Sequence, residues 1–122
     1  MASSVGTKWV LLVEDDQDTR EVTVEFLQEA GYSARAVADG ASALELLRTD
    51  RPCLVLADFK LGDMDGKELR RRVRGLLGDS APPFALLTGM RGPALKDISG
   101  TILLKPIDGE HLLGVVAEHC GA

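Results

Sequence analysis

Four short runs of this chain are almost wholly apolar: WVLLV, CLVLA, FALL and TILL, at Trp9–Val13, Cys53–Ala57, Phe84–Leu87 and Thr101–Leu104. A strand with one wet face alternates apolar and polar residues. A strand apolar at every position is buried on both faces, which points to a parallel sheet covered by helices on each side. The intervening stretches agree. Asp16–Ala30 places Val22, Phe26, Leu27 and Ala30 on one helical face, and Gly31 stops it. Ser33–Ala38 reads as a further strand, and Ala41–Arg48 as a short helix with Leu44 and Leu47 inward. Asp65–Leu77 repeats Leu69, Val73, Leu76 and Leu77 at helical offsets, and Asp108–His119 closes the chain as an amphipathic helix. Five strand–helix units predict an α/β, doubly wound, five-stranded parallel sheet of flavodoxin-like form. The twelve-residue connection from Gly89 to Gly100 leaves room for about one helical turn after two ordinary loops, so the helix there is expected to be short, irregular or absent.

The 122 residues suffice for one domain spanning the whole chain, with residues 1–7 as a flexible leader. A formal charge of −5 gives no reason to expect nucleic-acid binding, and no apolar run is long enough to span a bilayer. MASSVGTK lacks the layout of a signal peptide. A cytoplasmic protein is therefore expected, with Cys53 and Cys120, which form no metal-ligand spacing, as reduced thiols.

Function is legible from what ends each strand. In open parallel sheets ligands bind at the carboxyl edge. The first strand runs into Glu14, Asp15 and Asp16, the third into Asp58, the fourth into Thr88, and the fifth into Lys105 and Pro106. Adjacent acids repel more strongly as water is excluded, so such a cluster calls for open solvent, a helix N-terminus or a cation. Carboxylates gathered at one edge suit Mg²⁺. The lone Asp58 then supplies an oxygen able to attack phosphorus, Lys105 a charge for phosphoryl oxygens and Thr88 a hydroxyl. Read alone, Glu14–Asp16 is a solvated loop with Asp16 capping the next helix, Asp58 a turn residue, Thr88 a buried hydroxyl and Lys105 a surface lysine; with the acid pair, Asp58, Thr88 and Lys105 arriving together at one edge, they make a site.

The motifs VLLVEDD, LVLADFKLGDMDG, LLTG and LLKP, in this order, resemble those of the receiver domain of two-component response regulators, the CheY-like family. The resemblance covers essentially the whole chain. It implies phosphorylation of Asp58 by a histidine kinase or histidine phosphotransfer protein, in a domain that catalyses its own phosphorylation and dephosphorylation rather than acting as an enzyme on other substrates. It also implies Mg²⁺ bound by Asp15, Asp58 and the backbone carbonyl of Lys60, with Glu14 acting mainly through water, and a cis bond before Pro106. Output would pass to a downstream protein partner rather than directly to DNA, since no DNA-binding domain follows.

The chain departs from the family pattern in three places. Ile102 stands where many receivers carry an aromatic switch residue, and Gly62 replaces a common proline, which predicts a looser loop. The short Gly89–Gly100 segment, with PFALLTGM, resembles receivers of hybrid histidine kinases and small single-domain regulators. On this basis phosphorylation is expected to order that segment as Thr88 moves. A pseudo-receiver, an interaction module never phosphorylated, is the alternative. A flavin-binding protein is disfavoured because the first strand–helix turn is acidic rather than glycine-rich. The basic stretch KELRRRVRG fits an anionic partner or, more simply, a solvated helix face. Lys60 stands two positions after Asp58, near enough in sequence to contact a phosphoryl group there or to face solvent. His111 and His119 read as surface residues.

Overall fold

The computed structural model describes residues 8–90 and 100–121. Strands β1 (Trp9–Val13), β2 (Ser33–Val37), β3 (Leu54–Asp58), β4 (Phe84–Thr88) and β5 (Thr101–Leu104) form one parallel sheet in the order β2-β1-β3-β4-β5. Helices α1 (Gln17–Glu29), α2 (Gly40–Leu47), α3 (Gly66–Leu77) and α4 (Gly109–Cys120) flank it. The doubly wound α/β fold read from the sequence is the fold observed.

Alternate residues of the central strands feed two cores, as period-two geometry requires. Leu11, Val13, Val55, Ala57 and Leu86 join Ala43, Leu47, Leu69 and Val73 under α2 and α3. Val10, Leu12, Leu54, Leu56, Ala85 and Leu87 join Leu27, Leu112, Val115 and Val116 under α1 and α4. Each long helix starts at an aspartate whose carboxylate takes an N-terminal amide: Asp16 from Thr19, Asp39 from Ser42, Asp65 from Glu68 and Asp108 from Glu110.

Three expectations need correction. On α1 the buried pair is Thr23 and Leu27, one i,i+4 step, with Phe26 partly covered, whereas Val22 is 66% exposed and Ala30 exposed. The face is turned by one residue, and Leu27 joins Val10, Leu12, Leu54 and Leu56 in the core. On α3, Leu69 and Val73 are buried but Leu76 is exposed. The cysteines form a disulfide, with a Cα–Cα distance of 5.3 Å across a sequence separation of 67. Reduced thiols were the expectation from spacing; the fold sets the end of α4 against the residue that enters β3, a juxtaposition that spacing cannot show. The expectations for residues 1–7 and for the ordering of the connection between Met90 and Gly100 lie outside the described residues.

Candidate functional site

β1 ends at Val13, and the backbone N–H of Glu14 still bonds to Val37 of β2 at 3.1 Å. This carries the Glu14 side chain under the sheet edge, where it is 1% exposed. Its Oε2 accepts the N–H of Asp16 at 3.2 Å, and its carbonyl accepts the Arg20 guanidinium at 2.9 Å. Asp15 is exposed. Asp16 turns to helix capping, accepting the N–H and the hydroxyl of Thr19 at 2.9 and 2.6 Å. The acidic run thus divides, with two residues facing the site and one holding α1.

Asp58 is the last residue of β3, one residue further into the strand than the apolar run suggests, and is 8% exposed. The chain beyond it is fixed by the Phe59 N–H on the Leu87 carbonyl at 2.7 Å. Lys105 follows β5, its N–H donating to the Thr88 carbonyl at 2.8 Å. Its Nζ reaches back to Asp58 Oδ2 at 2.8 Å and Glu14 Oε1 at 3.4 Å. The bond between Lys105 and Pro106 is cis, as the family resemblance implies. Thr88 is buried, and its Oγ1 accepts the Met90 N–H at 3.1 Å. Lys60 is exposed and lines, with Asp58, Thr88, Met90 and Lys105, a hollow of about 370 Å³.

One oxygen each from Glu14, Asp15 and Asp58 lies within 4.8 Å of the others. Among the described residues, the Lys105 ammonium pairs with two of these three carboxyl groups, Asp58 and Glu14. Burial raises the Glu14 carboxyl above its ordinary value, and Asp58 adds to that; the Asp16 amide and Lys105 pull it back. Burial alone would lower Lys105, but the hydrogen bond and charge of Asp58, with Glu14 behind it, hold it above its ordinary value. A divalent ion fits this donor set. Oxygens on opposite sides of Mg²⁺ stand about 4.2 Å apart, so a small closure of the cluster, or a water on the Glu14 side, accommodates it.

All six residues singled out from sequence, Glu14, Asp15, Asp58, Lys60, Thr88 and Lys105, fall at the carboxyl edge of the sheet. Sequence reasoning missed Arg20, which fixes the Glu14 backbone from α1, and the amide of Met90 on Thr88. Arg20 sits four residues after Asp16 on the first turn of a helix. That spacing could have signalled a guanidinium returning to the strand end. Ile102 packs with the cluster under α2 and α3, paired with Leu86 across the β4–β5 ladder.

Comparison with known proteins agrees with this geometry. The response regulator receiver domain pattern matches residues 10–117. The response regulator receiver protein CpdR of Brucella abortus is 37% identical over 116 residues, covering 91% of this chain and 92% of that protein. The transcriptional regulatory protein CseB of Streptomyces coelicolor is 36% identical over 110 residues, covering 85% of this chain but 45% of its own length. Among solved structures, the receiver domain of sensor histidine kinase PA1611 from Pseudomonas aeruginosa superposes with a TM-score of 0.82 at 26% identity. It covers 95% of this chain and 99% of that one, and it holds a magnesium ion in its active-site cleft. Pattern, relatives and structure converge, and the chain belongs to the response regulator receiver family.

Proposed function

We propose that this domain accepts a phosphoryl group on Asp58 from a phosphohistidine, supplied by a histidine kinase or a histidine phosphotransfer protein, and passes the signal to a protein partner in the cytoplasm. The observation that carries the reading is the buried Asp58 carboxylate held 2.8 Å from Lys105, with Glu14 and Asp15 beside it.

In the transfer, an Asp58 carboxylate oxygen forms the new bond to phosphorus while the histidine nitrogen–phosphorus bond breaks, and that nitrogen keeps the electron pair. The transition state is loose, so positioning and charge neutralisation govern the rate. Lys105, already on Asp58, is placed to take a phosphoryl oxygen as charge builds there. The Thr88 hydroxyl accepts the Met90 amide and keeps its own proton to donate to another. Asp15, Asp58 and the Lys60 carbonyl would hold Mg²⁺ directly, with Glu14 through water. When bound, the ion supplies positive charge to the phosphoryl oxygens. The domain would catalyse its own dephosphorylation by admitting water to the same site.

Incubation with acetyl phosphate tests the reading by intact mass. An adduct of about 80 Da that needs Mg²⁺ and is absent in Asp58→Asn is the expected result. No adduct from acetyl phosphate, from phosphoramidate or from a phosphorylated histidine kinase would favour the pseudo-receiver instead.

A further inference from the structure

The loop between β3 and α3 carries Lys60 and Gly62. Its base is closed by the Gly66 N–H on the Phe59 carbonyl at 2.6 Å and the Leu61 N–H on the Met64 carbonyl at 3.2 Å; Lys60 and Asp65 pair as an isolated antiparallel bridge. Those bonds shape the loop but do not fix its tip against the domain. Two contacts with α2 do so. Asp63 Oδ1 accepts the Gly40 N–H at 3.0 Å and its Oδ2 the Ala41 N–H at 2.9 Å, one amide on each oxygen. Beside them Met64 lies on Gly40 so closely that a Cβ there would meet its sulfur at 2.7 Å.

This clamp is not needed to start the helix. Asp39 is the cap of α2, accepting the Ser42 N–H at 2.8 Å. Asp63 comes from 22 residues further along than Ala41 and takes the first two amides of the helix, which the Asp39 cap on Ser42 does not take. Charge-assisted bonds of this kind are stronger than neutral ones, and the positive end of the helix favours the carboxylate. Gly62 itself is outside the left-handed region, and nothing lies within 4 Å of where its Cβ would stand. The residue after it, Asp63, is the one tied to α2.

We propose that Asp63 is a positioning residue, anchoring the phosphoacceptor loop to the N-terminus of α2 and so holding the Lys60 backbone carbonyl in place for the cation. The proposal rests on the phosphoacceptor reading of Asp58, and its test separates the two.

Three versions of the chain are compared: wild type, Asp63→Ala and Asp63→Asn. Mg²⁺ affinity is measured by calorimetry, amide exchange of residues 59–66 by mass spectrometry, and acetyl phosphate turnover as a function of Mg²⁺. Asp63→Ala should weaken Mg²⁺ about tenfold, the scale for removing a group that orients a ligand. It should speed exchange in the loop and leave the rate at saturating Mg²⁺ within about twofold of wild type, since the group acts on binding rather than on the transition state. Asp63→Asn, whose amide oxygen can still accept one of the two bonds, should fall between wild type and Asp63→Ala in affinity and in protection. Unchanged affinity and exchange in Asp63→Ala would overturn the proposal. So would a loss of affinity that tracks lowered melting temperature with the exchange of the loop unchanged. A wild type that binds Mg²⁺ but takes no phosphoryl group from acetyl phosphate or a kinase refutes the phosphoacceptor reading alone, and the affinity and exchange comparisons still decide the role of Asp63.

Discussion

Reducing the Cys53–Cys120 bond leaves every atom of the core in place except the two added hydrogens, so it isolates the cross-link. The bridge closes a loop with a sequence separation of 67. In the chain-entropy treatment, closing such a loop removes about 15 cal/mol/K from the unfolded ensemble, or about 4 kcal/mol at 25 °C. Cys120 is buried in the cluster beneath α1 and α4, and Tyr32 Oη on the Gly121 carbonyl at 2.8 Å holds the same helix end without the bridge. The folded state should therefore survive reduction, and the loss falls on stability rather than on structure. With a urea slope of about 1.5 kcal/mol per molar, the unfolding midpoint of reduced protein should lie about 3 M below that of oxidised protein, with the slope itself little changed. The assay is paired urea titrations followed by circular dichroism, with thiol counts on each sample after denaturation. Two free thiols in protein purified without reductant, or midpoints that agree within about 0.5 M, would refute the reasoning.

Lys105→Met should abolish most phosphoryl acceptance while tightening Mg²⁺ severalfold, because Nζ no longer competes for Asp58; weaker Mg²⁺ binding would contradict it, read by calorimetry. The folded state favours protonated Glu14, so this group's contribution to metal-free stability is full below its ordinary 4.5 and is lost as pH rises through the raised value. Added Mg²⁺ should restore it, and melting temperatures with and without Mg²⁺ across mildly acidic pH test this. Gly66→Ala would put a Cβ 2.7 Å from Leu86 Cδ2 and 2.8 Å from the Asp58 carbonyl, so it should cost about 1–3 kcal/mol and slow phosphorylation by displacing Asp58. Leu47→Ala removes a fully buried side chain between α2 and the sheet and should cost about 2–5 kcal/mol with Mg²⁺ affinity unchanged, as urea unfolding and calorimetry would show.

What was legible in the sequence depended on how local its cause is. Leu54–Ala57 is apolar throughout because β3 lies between two others with helices on both faces, so the strand and the acid ending it could be read together. Thr88 and Lys105 were legible for the same reason, each following a buried run. Val22 was misplaced because a helix with Val22, Thr23, Phe26 and Leu27 offers two adjacent stripes, and contact with the sheet rather than hydropathy selects one. The disulfide and the Asp63 clamp were illegible because their partners meet only after the sheet has assembled its crossovers. Asp16 shows the reverse: its cap on Thr19 is local, so a run of three acids could be divided only by knowing which one the helix takes.

α4 is pinned unequally along its length. At its C-terminal end the disulfide and the Tyr32 bond tie it to β3 and to the start of β2. At its N-terminal end Gly109 lies against the Phe26 ring of α1, and the short turn after Lys105 links it to the carboxyl edge of the sheet. A helix fixed at one end behaves as a lever. On the proposed transfer, a move of Lys105 from Asp58 to a phosphoryl oxygen would swing α4 about its tethered end rather than slide it along the sheet. The surface to change most would be its first turn, next to the exposed Val22 of α1.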